Sequence, residues 1–255
     1  MIRLVKNLTG YLRSAGYAIY LFSPFGLRTP SNRSFVIGDI PRHFGYQPIR
    51  PDLPTLSVDD ICRPGAIELI EIQPQNGNVS VLELAILAKL IARFKPKRIF
   101  EFGTFDGRTT LNLAANAPDA TVYTLDLPRA NINSTNLPIE NADKTYIDKS
   151  ASGRRFADSE HGSHIIQLYG DSATFDYAPY IGNVDFVFVD GAHSFEYVTS
   201  DSANALRMLT NGGVIVWHDY ASWPGATKAL NHLYGKDQRL RWIAGTSLAV
   251  RIGNE

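Results

Sequence analysis

Residues 98–110 (RIFEFGTFDGRTT) constrain the fold of this chain more than any other stretch. An apolar, β-branched and aromatic run ends in Glu101, Phe102 and Gly103; Gly107 follows four residues later, and a helix-forming stretch begins there. That order spells a strand, a tight turn and a helix N-terminus. Gly103 can take a positive φ and lets the backbone approach a ligand closely, while Gly107 and Thr109 would open the helix with free amide N–H groups facing the same crevice. A second apolar run, Val122 to Leu125, ends in Asp126. An acid at that point is placed to accept hydrogen bonds from the two hydroxyls of a ribose. Together the two strand ends make a nucleotide cradle.

The spacing narrows the ligand. The glycines read G-x-x-x-G behind an acid, not the G-x-G-x-x-G of a dinucleotide fingerprint, and no G-x-x-x-x-G-K-[ST] phosphate loop occurs. Pyrophosphate favours an uncharged, amide-rich turn. Glu101 and Asp106 would repel it and suit a cationic ligand such as S-adenosylmethionine, with its sulfonium and α-ammonium groups.

Further along, strands and helices alternate. Ser80 and Glu83 form a capping box for a helix over about 80–94. Strands are expected at 98–102, 121–126, 164–169, 184–189, 213–217, 240–244 and 247–252, with helices at about 107–116, 195–209 and 224–235. Strands separated by helices imply a parallel sheet with right-handed crossovers. The last two lie too close for a crossover and should form an antiparallel pair at one edge. The expected fold is α/β, a Rossmann-like doubly wound sheet of seven strands, mostly parallel with an antiparallel last strand, plus an N-terminal helical appendage. The domain division is expected at 1–78 for the appendage and 79–255 for the sheet domain. Residues 127–163 exceed a simple connection and are expected to be a lid-like insertion or substrate loop over the strand ends, a disordered excursion or an oligomer arm being the alternatives.

Asp190 ends the apolar run 186–189, and His218 and Asp219 end the run 213–217. Two carboxylates and an imidazole on adjacent strand ends could hold one divalent cation; alternatively, His218 and Asp219 pair with each other or with the helix at Pro224. His193, three residues beyond Asp190, could take a proton from a hydroxyl. Ser194 reads as an N-cap.

Four motifs in order, Glu101-x-Gly103-x-x-x-Gly107, Gly170-Asp171-Ser172-Ala173, Asp190-Gly191-Ala192-His193 and His218-Asp219, resemble those of the class I S-adenosylmethionine-dependent methyltransferases. The resemblance covers about residues 80–252 and is greatest to the small-molecule O-methyltransferases of the catechol and macrolide-sugar type. It implies S-adenosylmethionine as cofactor, bound by Glu101, Gly103, Thr104, Gly107, Thr109, Asp126, Asp171, Ser172 and Asp190. It also implies a metal at Asp190, His218 and Asp219, and catalysis by His193 and Asp190. Mg²⁺ is the expected ion, with Mn²⁺, Fe²⁺ and Zn²⁺ open, because His218 stands where many relatives carry an acid or amide. His193 matches the position of the general base, a lysine in the catechol type.

Composition bounds the remaining classes. A chain of 255 residues with 44% hydrophobic content can bury a sizeable core, and its formal charge of zero suggests neither a nucleic-acid nor a membrane partner. Cys62 is the single cysteine, which excludes a disulfide framework and suits a reducing cytoplasm. The apolar run 17–22 is too short to span a membrane. Residues 2–22 read as an amphipathic helix, with Leu4, Leu8, Leu12, Ala15, Ile19 and Phe22 on a face that would cap the main domain or make a homodimer contact. The expected function is transfer of a methyl group from S-adenosylmethionine to an oxygen of a small hydroxylated molecule. A nicotinamide-dependent oxidoreductase, or a non-catalytic cofactor-binding protein on the same fold, is the alternative. N- or C-methylation stays open.

Overall fold

Apolar residues fill both faces of the central strands, so these strands must be covered on both sides. The computed structural model, which describes residues 2–34, 36 and 49–253, bears this out. Strand β2 (Arg98–Phe102) turns Ile99 to one face and Phe100 and Phe102 to the other, and β5 (Val184–Val189) divides Phe186 and Phe188 from Val187 and Val189 in the same way. On one face the strands pack with Ala205 and Met208 of the helix Phe195–Met208 and with Ala226, Ala229 and Leu230 of the helix Pro224–Tyr234. Leu84, Leu87, Leu90 and Ile91 of the helix Val81–Phe94, with Leu113 and Ala114 of Arg108–Ala115, cover the opposite face.

The other strands are β1 (Thr55–Leu56), β3 (Thr121–Asp126), β4 (Ile165–Tyr169), β6 (Leu209–Trp217), β7 (Arg241–Ile243) and β8 (Ala249–Ile252). Their order is β1-β7-β8-β6-β5-β2-β3-β4. Among the described strands only β8 runs against its neighbours, β6 and β7. The doubly wound, mostly parallel sheet with its antiparallel last strand is as expected. Among the described residues the sheet has eight strands, not seven: Thr55 and Leu56 pair in parallel with Trp242 and Ile243 and take the edge assigned to the final pair. A two-residue strand has no period to read, which is why the sequence conceals it.

Two compact units divide the chain, residues 1–48 and 49–255, so residues 49–78 lie with the sheet rather than with an appendage ending at 78. Arg108 explains why. Fully buried, it donates through Nε and both terminal nitrogens to the carbonyl oxygens of Glu71, Val79 and Ile72 and ties that stretch to the sheet unit. The first unit holds the helix Ile2–Leu21 and two short helical segments, Gly26–Arg28 and Pro30–Ser34. Leu12, Ile19 and Phe22 of its apolar face are exposed, whereas the side chains of Leu4 and Leu8 lie outside the described residues. Among the described residues no helix is long and apolar enough to cross a membrane.

Candidate active site

Ligands in open α/β sheets bind at the carboxyl ends of the strands, where the strand order reverses. Here the reversal falls between β2 and β5, and Gly103 and Asp190 leave those two strands side by side. Gly103 has φ +88°, and a Cβ built on it would stand 2.0 Å from the Asp190 carbonyl oxygen, so no other residue fits without moving the backbone.

On the β2–β4 side the structure gathers the cradle residues. Glu101 is buried; its Oε2 accepts from the hydroxyls of Thr110 and, at 2.6 Å, Thr124, and its Oε1 has no partner. Burial, opposed by those two hydrogen bonds, pushes its carboxyl up to about 8. Thr104 meets Thr124 at 2.7 Å and accepts from Gln167 at 2.9 Å. Asp126 Oδ2 accepts from Ser152 and, at 2.8 Å, pairs with Lys149. Asp171 accepts from the backbone and side chain of Asn136, the Ala173 N–H and the Tyr197 hydroxyl. Burial alone would raise its carboxyl, but these donors hold it below the usual range. The Ser172 carbonyl accepts from Tyr177.

Two expectations need correction. The Gly107 N–H is not free, because it donates to the Thr104 carbonyl at 2.9 Å. Gly107 instead starts the helix with φ +88°, beneath Phe156 and Gly153, which a Cβ would approach to 2.6 and 2.8 Å; Thr109 is buried in the first turn. Nor does Asp106 await a cationic ligand. Its carboxylate is taken by Arg155 at 2.7 Å, the Asn78 amide and the Arg108 N–H, each at 3.0 Å.

The β5–β6 side carries the other cluster. Asp190, His218 and Asp219 each present one ligand atom, and the three atoms lie within 4.8 Å of one another. His218 Nδ1 is 2.9 Å from Asp190 Oδ1 and 3.2 Å from Asp219 Oδ2. Ligands at right angles around an ion with bonds of about 2.1 Å stand about 3.0 Å apart, so these spacings suit a shared cation. His193 Nε2 lies 2.8 Å from the same Asp219 oxygen, and its Nδ1 is bonded to Asp143. Its ring stacks on Trp223, with centroids 4.1 Å apart. Burial opposes protonation of His193, but Asp219 and Asp143 outweigh it and lift the imidazole to about 10. The Asp219 carboxyl would be raised by burial but is held far below the usual range by His218 and His193. Ser194 caps the following helix by accepting from the Tyr197 N–H, as expected.

Asp143, Ser152, Lys149 and Trp223 are the site residues that sequence reasoning missed. The first three come from the patternless 127–163 segment, and nothing local marks them. A cleft of about 510 Å³ lies away from this cluster, lined by Glu71, Leu111, Arg155 and Asp158 among others. It opens on none of the strand-end acids.

Comparison with known proteins agrees with the fold. Residues 100–220 match a methyltransferase domain family. That segment is just under half of the chain, and in sequence it is similar to methyltransferase domains. Among solved structures, the chain is similar to the O-methyltransferase TomG from Streptomyces achromogenes, involved in tomaymycin synthesis and solved with S-adenosylmethionine. Identity is 18%, coverage is 72% of this chain and 93% of that one, and the TM-score is 0.50. It is also similar to the Podospora anserina methyltransferase PaMTH1 solved with S-adenosylhomocysteine, at 18% identity, 71% and 81% coverage and a TM-score of 0.50. No curated protein matches it in sequence.

Proposed function

We propose that the protein transfers the methyl group of S-adenosylmethionine to a hydroxyl oxygen of a small molecule, with a divalent cation held by Asp190, His218 and Asp219. One observation carries this reading: Glu101 and Asp126 stand on one side of the strand-order reversal, and the Asp190–His218–Asp219 cluster with His193 stands on the other. A cofactor on the first side would face an acceptor on the second.

When bound, S-adenosylmethionine supplies a methyl group on a cationic sulfur that is already a good leaving group. The chain's task is alignment. Asp126 would accept the ribose hydroxyls in place of Ser152 and Lys149, and Oε1 of Glu101, ionised by a cationic ligand, would take a donor from it. Gly103 lets the backbone pass close, and Thr104, Asp171 and Ser172 border the crevice. A bound cation would lower the pKa of the acceptor hydroxyl. His193 is the proton acceptor once it has given up the proton that Asp219 and Asp143 favour in the ligand-free protein, as it would when a cation draws Asp219 away: Asp143 fixes the ring through Nδ1, and Nε2 points toward Asp219. For Nε2 to receive a proton, Asp219 must turn its oxygen from His193 toward the site it shares with His218.

The test is incubation with methyl-labelled S-adenosylmethionine and a panel of small phenols, catechols and sugars, with and without chelator, read by mass spectrometry. Label on an acceptor oxygen supports the proposal; label on nitrogen or carbon alone, or on no acceptor, overturns it.

A further inference from the structure

His218 has two faces, and both are occupied by acids. Its Nδ1 looks at Asp190 and Asp219, while its Nε2 looks away at Glu83 Oε2, 3.5 Å off. Glu83 is itself fixed: Oε2 accepts from the Ser80 N–H at 2.8 Å, and Oε1 accepts from the Ser247 N–H and hydroxyl, each at 2.7 Å. It is 5% exposed and anchored on the helix Val81–Phe94 and on the turn before β8 at once. Without a cation Nδ1 donates to Asp190; with a cation between Nδ1 and the two aspartates, the imidazole proton would stay on Nε2, facing this carboxylate. Carboxylate, imidazole and ion in a row is the arrangement that orients ligating histidines.

Charge leads the same way. Asp143, Asp190, Asp219 and Glu83 surround two imidazoles, His193 and His218, so even with both rings protonated the cluster is left with a surplus of negative charge. A dication would neutralise it. The donor chemistry then decides between ions. Mg²⁺ takes oxygen ligands and keeps its waters, whereas imidazole suits Fe²⁺, Ni²⁺ and Zn²⁺; Mn²⁺ shares the oxygen preference of Mg²⁺ but accepts a nitrogen ligand more readily, which makes it the stringent probe of the two.

We propose that this site selects a transition-metal ion over Mg²⁺, with His218 Nδ1 as the selecting ligand and Glu83 as the positioning residue that aims it. The proposal rests on the cation reading above and replaces the expected Mg²⁺. Asp190 and Asp219 supply the oxygen ligands that any divalent ion would use, and His218 supplies the preference.

The test uses the metals alone on the full-length protein, without cofactor or acceptor. Calorimetric titration with Mn²⁺ and Mg²⁺ should give a Mn²⁺ preference that falls at least tenfold in His218→Asp. Pulsed electron paramagnetic resonance of the Mn²⁺-loaded parent should show ¹⁴N coupling, lost in His218→Asp. Glu83→Gln, checked for folding by circular dichroism, should weaken Mn²⁺ binding 10- to 100-fold. It should have no further effect in the His218→Asp background, which separates aiming of the ring from a general loss of structure. An unchanged Mn²⁺ to Mg²⁺ ratio in His218→Asp, or no ¹⁴N coupling in the parent, overturns the proposal. Because the parent spectrum needs no variant, misfolding of either variant cannot hide the answer. Failure of the methyltransferase reading would show separately, as no binding of S-adenosylhomocysteine with the metal preference intact.

Discussion

Glu101 is a carboxyl group with one oxygen held by two threonine hydroxyls and the other without a partner. Its pKa rises from 4.5 to about 8 on folding, so the folded protein binds more protons than the unfolded chain between those values. Stability of the ligand-free protein from this group is therefore fully present below pH 4.5 and is lost as pH rises to 8. Glu101→Gln mimics the protonated acid and should raise the melting temperature at pH 9, by on the order of a few kcal/mol in stability, with no gain at pH 4. Equal gains at both pH values would contradict the burial of an ionisable group there. Gly103→Ala should cost about 3 kcal/mol or more in denaturant melts, because both its positive φ and the Asp190 carbonyl refuse a side chain. Both residues were legible in the sequence, since an acid interrupting a buried apolar run and a glycine closing it have few other uses. Asp106 was not: its partner Arg155 is remote in sequence, and an acid in a turn looks the same whether it waits for a ligand or closes an ion pair.

At the scale of elements, the strands could be read because each buries a short apolar run on both faces and ends at a polar residue. The 127–163 segment could not. Its order comes from tertiary partners: the Gly153 N–H on the Phe105 carbonyl, Arg155 on Asp106, Asp143 on His193. Ser152 and Lys149 occupy one oxygen of Asp126, and on the proposed function a ribose taking that same oxygen would displace them. The double variant Ser152→Ala, Lys149→Ala should bind S-adenosylhomocysteine up to about tenfold more tightly, the worth of about one net hydrogen bond. Weaker binding would mean that the segment holds the cofactor rather than competing with it.

For the whole molecule, every residue assigned to the site lies in the 49–255 unit. A chain starting at residue 49 should keep its melting temperature and cofactor affinity. One starting at residue 79 should lose several kcal/mol, since it strands the Arg108 guanidinium from two of its three carbonyls and removes the edge strand β1. Similar behaviour of the two truncations in thermal melts would place the boundary elsewhere. Sequence placed the methyltransferase fold through four motifs in order, and misplaced the boundary because residues 49–78 are joined to the sheet by backbone carbonyls, which carry no residue code. Calorimetric titration of S-adenosylhomocysteine into the parent and Asp126→Ala proteins should give saturable one-to-one binding in the first, and binding weaker by about 100-fold or more in the second. Equal affinity in the two proteins, or no binding to the parent at all, would contradict the proposed cradle.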